Sequence, residues 1–374
     1  MPKISNNFYG ENLYTFTNFS CFCNEDTIYE TPGSEPKKTF KVFPDLSKPI
    51  KFAYAAKKGL VRINDNGTIV DENILGQFVG LATASQKKIE KFFNNNGFLY
   101  PLSDAGYEAI DFVTLLNFIT RMKLTVELMS EIGKGHKNYN QIINLSLQLI
   151  RSEPFEIKTQ KMELPYTSCK HSFMDLIKTA DMIQLTPQRR REKNMEEFFC
   201  INDTIFDTPF KMDINEYNEI TSTYSNTDDF FKAIVILFVN YNADKSKRQI
   251  IDFLFHYFRN SDLMLKDNMK NAAENFAKSV LKEEINHNLT GIHPVYNTDN
   301  MEPAWEVDSL MSALYFSLFY LKPKMELYRP CGNPKCTNYF LISATSSKTK
   351  YCSTRCTNNM TQARYRKKKS SSEL

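Results

Sequence analysis

The sequence predicts a mainly α protein with some α+β character, built from a multi-helical body, a small β-leaning N-terminal part and a compact cysteine-rich C-terminal module. Three observations predict this class. Apolar residues recur at helical spacing through the middle of the chain, whereas near its beginning they alternate with polar residues. The 374 residues include only 12 glycines and 15 prolines, which is typical of a globular, largely helical protein. Two close cysteine pairs stand near the end.

Turn residues and hydrophobic periodicity predict five parts along the chain. They are a mixed α/β part at 1–100, a helical region at 101–220, a helical domain at 221–326, the cysteine-rich module at 327–369 and a disordered tail at 370–374. Short strands are expected at 39–43 and 51–54. Helices are predicted at about 75–94, 109–132, 138–151, 170–183, 228–242, 245–260, 264–284 and 304–322, and another begins at Pro187.

Charge is distributed unevenly along the chain. The whole sequence carries a net charge of +4, yet residues 327–372 contain ten Lys or Arg and no Asp or Glu. Glu373 contributes −1, so residues 1–326 sum to −5. An acid-free basic segment of this kind predicts contact with a polyanion, nucleic acid above all. For Lys367–Lys369 taken alone, a solvated basic tail is the alternative interpretation.

The cysteine pairs predict a metal site. Cys331 and Cys336 form the first pair, Cys352 and Cys356 form the second, and fifteen residues separate the pairs. Four thiolates on two short turns are the ligand set of a closed, tetrahedral Zn²⁺ site. One structural zinc ion is therefore the expected cofactor, and folding of the module should depend on it.

The remaining cysteines and the histidines give no catalytic pattern. Isolated cysteines usually behave as small hydrophobic residues, so a second zinc site built from Cys21, Cys23, Cys169 and Cys200 is the minor alternative. The spacing of Cys21 and Cys23 suggests side chains on opposite faces of an extended segment. The five histidines are scattered, and the sequence contains no phosphate-binding glycine loop, nucleophile elbow or His-Glu-x-x-His motif. No catalytic residue is assigned, and the chain is not expected to be an enzyme.

Within the module, local signals predict a treble-clef-like zinc finger. Gly332 permits a tight first turn, residues 338–342 should form a strand, and Ser353 should cap a helix that carries Cys356. One helix face then presents polar side chains at steps of three and four residues. The predicted nucleic-acid contacts are Arg355, Asn359, Gln362, Arg364, Arg366, Lys367, Lys368 and Lys369.

The module also resembles a known family, the CGNR zinc-finger proteins. The matching residues are Cys331, Asn333, Cys336, Phe340, Lys348, Lys350, Tyr351, Cys352, Ser353, Cys356, Asn358, Arg364 and Arg366. The resemblance covers about residues 327–369, and a weaker similarity of layout extends back to about residue 245. It implies a bacterial, predicted DNA-binding regulator whose finger follows a helical domain. The naming motif Cys-Gly-Asn-Arg reads Cys356-Thr357-Asn358-Asn359 here, so the chain looks like a divergent member that lacks the family's arginine at position 359.

Together these features predict a zinc-dependent DNA-binding protein, a transcriptional regulator with an N-terminal sensing or scaffold region. A structural or protein-docking module is one alternative, and RNA binding is another. The N-terminal residues lack a signal-peptide pattern and no apolar run is long enough to span a bilayer, so we expect a cytoplasmic protein without membrane contact. A homodimer is plausible, and the sequence does not indicate a small-molecule effector.

Overall fold

A computed structural model describes most of the chain and divides it into two compact units. The described residues are 15–28, 37–55, 58–104, 106–172, 198–200, 211–213, 267–298, 301–346 and 349–370. The first unit comprises Met1–Gly135, Phe155–Ser168 and Ile285–Leu374, and the second comprises His136–Pro154 and Cys169–Glu284. The five-part division expected from the sequence stays a prediction.

The described residues form both helices and strands. The helices are α1 (Ile74–Val79), α2 (Gln86–Asn96), α3 (Phe112–Gly133), α4 (Tyr139–Arg151), α5 (Asp267–His287), α6 (Leu310–Tyr320) and α7 (Thr354–Ser370). The strands are β1 (Thr15–Ile28), β2 (Lys37–Ala55), β3 (Gly59–Ile63), β4 (Ile69–Asp71), β5 (Glu108–Asp111), β6 (Glu156–Ile157), β7 (Tyr166–Thr167), β8 (Phe198–Cys200), β9 (Lys211–Asp213), β10 (Ile292–Asn297), β11 (Glu302–Val307), β12 (Glu326–Pro330) and β13 (Tyr339–Ser343). The predicted mainly α class is therefore not clearly supported, since the described residues form thirteen strands as well as these seven helices. The four-cysteine cluster at the C-terminus fits the predicted finger.

An antiparallel sheet of five strands begins the first unit. Its order is β1-β2-β3-β4, and β5 pairs with β2. Alternate residues of a strand share one face, which places Cys21 and Cys23 side by side in the core with their Sγ atoms 3.5 Å apart. The expectation that these two cysteines face opposite ways is wrong, because two residues are one full period of a strand.

The helices that follow the sheet start where the sequence offers capping groups. The Asp111 carboxylate accepts a hydrogen bond from the Thr114 N–H at 2.8 Å and begins α3. The predicted helix at 75–94 is instead two helices joined by a 3₁₀ turn, since Ala84 is extended between them. The second of these, α2, ends at Asn96 and is followed by Gly97, where φ is +76°.

Aromatic packing joins α3 to the rest of the first unit. The Phe118 ring lies 5.8 Å from Phe78 of α1, 6.0 Å from Tyr166 of β7 and 6.5 Å from Tyr315 of α6, measured between ring centroids. The predicted helix at 304–322 starts only at Leu310. Residues Glu302–Val307 pair with β10 instead, and the Ser309 side chain caps the helix by accepting from the Ser312 N–H.

The second unit contains α4, most of α5 and the paired strands β8 and β9. Asn138 caps α4 by accepting a hydrogen bond from the Gln141 N–H at 3.1 Å. Lys137 forms an ion pair with Glu274 of α5. The helices predicted at 170–183, 228–242 and 245–260, and the one from Pro187, lie outside the described residues except for 170–172. No helix in the described part of the chain is long and apolar enough to cross a membrane.

Candidate metal centre and nucleic-acid interface

A short hairpin carries the first cysteine pair. β12 pairs with β13 in antiparallel register, from Glu326 opposite Ser343 to Pro330 opposite Tyr339. One face of the hairpin buries Leu327, Phe340 and Ile342, and the side chains of Ala344 and Cys352 pack against this small cluster. The strand predicted at residues 338–342 is thus found at Tyr339–Ser343, displaced by a single residue.

Backbone hydrogen bonds shape the turn between the two strands. The Cys336 N–H donates to the Asn333 carbonyl at 2.8 Å, and the Lys335 N–H donates to the Asn333 side-chain oxygen at 3.1 Å. Gly332 donates its N–H to the Lys350 carbonyl at 2.8 Å, which joins the first pair to the approach of the second. The buried Asn333 therefore organises the loop that places Cys331 and Cys336 on the same side.

The second pair stands at the start of α7. Ser353 precedes the helix, and its hydroxyl accepts a hydrogen bond from the Cys356 N–H at 3.3 Å, as predicted for a capping residue. The Cys352 N–H points at the Cys331 sulfur, with 3.5 Å between the two atoms. The cap fixes the first turn of the helix, so Cys356 faces the other three cysteines.

The four sulfur atoms meet the distances that a zinc ion requires. All lie within 4.8 Å of one another, and the Sγ atom of Cys352 is 3.6 Å from that of Cys336 and 3.7 Å from that of Cys356. A tetrahedron with zinc–sulfur bonds of about 2.3 Å has sulfur–sulfur edges of about 3.8 Å. The residues present therefore fit one structural Zn²⁺, as expected from their spacing.

The protonation of these thiols differs across the cluster. Burial acts to raise the pKa of Cys356, yet hydrogen bonds with Asn333 and Ser353 bring that pKa down to about 7. Burial raises the pKa of Cys336 and of Cys352. A bound zinc ion supplies the positive charge that keeps all four ligands as thiolates.

Comparison with known proteins agrees with this geometry. A family model described as CGNR zinc finger matches residues 328–369. These residues are a CGNR zinc finger. No curated protein matches the chain, and no solved structure matches it either. The resemblance expected from the cysteine pattern is confirmed for the finger, whereas the layout similarity upstream of it stays a prediction.

The hairpin holds the finger against the rest of the first unit. The side-chain amide of Asn73 donates to the Tyr339 carbonyl, and the Lys88 ammonium donates to the Asn338 side-chain oxygen at 2.9 Å. The Tyr339 hydroxyl donates to the Glu127 carboxylate, and the Tyr328 N–H donates to the Ser130 hydroxyl at 3.1 Å. These bonds connect the hairpin with α2, α3 and the residue that precedes α1.

Two glycines allow this close approach. A Cβ atom on Gly76 would stand 2.3 Å from the Tyr339 carbonyl oxygen, and one on Gly80 would stand 2.5 Å from that of Thr337. Neither position leaves space for any side chain unless the backbone shifts. Sequence patterns gave no signal for these contacts, because the partners are separated by some 250 residues along the chain.

The polar face of α7 lies open to solvent. Four predicted contact residues, spaced to share this face, have exposed side chains: Arg355, Asn359, Gln362 and Arg366. In the described part of the chain, no carboxylate forms an ion pair with either arginine. Arg364 is also exposed and donates to the Tyr351 hydroxyl at 2.9 Å. The helix backbone continues through Lys367–Lys369 to Ser370, and the side chains of those lysines lie outside the description.

Proposed function

We propose that the CGNR finger binds DNA, in a cytoplasmic transcriptional regulator whose remaining residues act as a scaffold or sensing region. The observation that supports the proposal is the exposed, acid-free polar face of α7. The hairpin of the same finger is occupied by contacts with the rest of the first unit, whereas the polar face of α7 is open to a partner. The zinc ion, closed in by four thiolates, has a structural role, and the proposal includes no catalytic one.

The dimensions of α7 suit a duplex. Arg355 and Arg366 are eleven residues apart, which is about 16 Å along a helix. The major groove of B-DNA is about 12 Å wide and admits an α-helix. Arginine pairs with guanine and with phosphates, and asparagine and glutamine pair with adenine, so the side chains on this face are those that recognise base edges.

RNA binding is the second candidate, and one observation favours it. Tyr365 is 71% exposed on α7, where it could stack on an unpaired base. Two other aromatic residues of the finger, Tyr339 and Phe340, are buried and therefore unavailable for stacking. The proposal prefers duplex DNA because one exposed ring offers a single stacking position, whereas the polar face extends along three turns.

Protein docking through the finger is the remaining alternative. The hairpin contacts agree with it in part, because that half of the finger is fixed to other elements of the first unit. Docking of the whole finger would also cover the polar face of α7, and in the described residues this face is exposed. A docking partner for α7 would have to be a separate acidic protein. Salt would weaken its binding as it weakens DNA binding, so direct binding to a DNA duplex is the observation that separates the two functions.

The test measures binding of zinc-loaded full-length protein to a random DNA duplex by fluorescence anisotropy across a series of salt concentrations. About five phosphate contacts predict a slope of log affinity against log salt near −4.5. In the double variant Arg355→Ala/Arg366→Ala, this slope should become less negative by about 2. The DNA affinity should fall at least about 30-fold, and zinc should stay bound.

A matched control removes two exposed positive charges outside the finger. Lys91→Ala/Lys158→Ala changes the net charge equally and should leave both the affinity and the slope near those of the wild type. Equal losses in the two double variants would mean that binding follows net charge and would refute the site. Tighter binding to single-stranded RNA that is lost in Tyr365→Ala would favour the RNA candidate.

A further inference from the structure

A second cluster of metal-ligating side chains lies in the second unit, away from the finger in sequence. It contains Cys169, His171 and Glu284, whose potential ligand atoms all lie within 4.8 Å of one another. All three side chains are buried, with 8%, 4% and 0% of their surface exposed. Burial of a cysteine, a histidine and a glutamate in one place is unusual unless their charges are balanced within the cluster.

The distances around His171 suit a metal ligand. Its Nε2 atom is 3.5 Å from the Glu284 Oε2 atom, and its Nδ1 atom is 3.0 Å from the Glu283 Oε2 atom. Two oxygen or nitrogen ligands on a tetrahedral zinc ion are separated by about 3.4 Å, given bonds of about 2.0–2.2 Å. A histidine ligand typically donates its second ring N–H to a carboxylate, which is the place that Glu283 takes here.

Glu283 is itself held in position. Its Oε2 atom also accepts the Ser172 backbone N–H at 3.2 Å, and the Ser172 hydroxyl donates to its other oxygen. A carboxylate fixed in this way favours the histidine tautomer that carries its hydrogen on Nδ1. The lone pair on Nε2 is then directed toward the side where Glu284 lies, so the ring is set up to ligate.

We propose that Cys169, His171 and Glu284 form a second zinc site, with Glu283 orienting His171 from outside the ligand set. Sulfur, nitrogen and oxygen donors together suit Zn²⁺. The thiolate of Cys169 and the carboxylate of Glu284 neutralise the two charges of the ion, which makes the buried site neutral overall. Three donors leave the fourth position of the ion to water or to another ligand.

The site would have a local structural effect. Cys169 and His171 lie in an irregular segment that follows β7, whereas Glu284 lies in the last turn of α5. A shared zinc ion would fasten the segment to the helix. The alternative without metal is a cluster in which His171 interacts only with the two carboxylates, an arrangement that needs neither zinc nor the Cys169 thiol.

The test is the zinc content of the full chain, measured by native mass spectrometry after removal of free metal. Two zinc ions per chain are expected for the wild type and one for Cys169→Ala, which retains the finger. Cys21→Ala serves as the matched control because it removes a buried thiol from the first unit, and it should keep both ions. One ion in the wild type, or two in Cys169→Ala, would overturn the proposal.

A second variant keeps the question decidable if Cys169→Ala does not fold. Glu283→Gln leaves all three ligands in place but weakens the acceptor for the histidine N–H. The affinity for the second zinc ion, measured by competition with a chelator, should fall about 10–100-fold while the affinity of the finger is unchanged. If Glu283→Gln binds the second zinc ion as tightly as the wild type does, the proposed role of Glu283 in orienting His171 is refuted.

Discussion

Removal of zinc should unfold the two halves of the finger to different extents. Among the side chains described in α7, that of Cys356 is buried, and those on the polar face are exposed. The hairpin instead has hydrogen bonds with Asn73, Lys88, Glu127 and Ser130, and these do not involve the metal. Chelation should therefore unfold α7 while β12 and β13 stay attached to the rest of the first unit.

The expected size of the effect comes from the bound metal. Structural zinc contributes about 10–16 kcal/mol to the folding of a finger, and an isolated helix of some 17 residues is marginal in water without it. A loss of only about 4 kcal/mol of local stability already accelerates amide exchange about 10³-fold, at about 1.4 kcal/mol for each factor of ten. Exchange in residues 356–366 should rise by at least this factor.

Hydrogen exchange followed by mass spectrometry resolves the two halves on separate peptides. With a chelator that strips the finger, peptides covering α7 should lose protection, whereas peptides covering 326–330 and 339–343 should lose less than tenfold. Equal loss in both halves would refute the reasoning, because it would mean that the hairpin is held by zinc and not by its contacts with α2, α3 and Asn73. Retained protection in α7 would show that packing absent from this structure supports the helix.

Three further substitutions test single contacts. Tyr339→Phe removes the hydroxyl that donates to Glu127, so it should lower the stability of the hairpin by about 1–2 kcal/mol, measured by hydrogen exchange of β13. Ser353→Ala removes the cap of α7 at a cost of about 1 kcal/mol and should weaken zinc binding about fivefold in chelator competition. Burial acts to raise the pKa of Glu274, but Lys137 and a second lysine lower that pKa below its usual value. The Glu274 carboxylate therefore stabilises the folded protein at any pH above its pKa in the unfolded chain, and this stabilisation is lost as the pH falls through its pKa in the folded protein. Glu274→Gln should therefore destabilise α5 by about 1 kcal/mol at pH 7, seen as faster exchange, and match the wild type in acid.

Features formed within a short stretch of chain were predictable from the sequence. The four zinc ligands span 26 residues, and their spacing, the Ser353 cap and the polar stripe of α7 follow from local geometry. The helices α3 and α4 were predicted within three residues of their observed bounds, since their apolar periodicity is long and regular.

Competition between local preferences and distant partners decided the rest. Residues 304–307 were expected at the start of a helix, but pairing with β10 makes them part of a strand. The long β1–β2 pair adds strand content that the sequence did not indicate. His171 showed no ligand pattern in the sequence, because Glu284 joins it from more than a hundred residues away. The sequence by itself thus determined the zinc finger and its basic helix, whose parts are close along the chain. Only the tertiary structure decided where the hairpin docks and which buried groups meet, because contacts between distant residues depend on packing that no local pattern encodes.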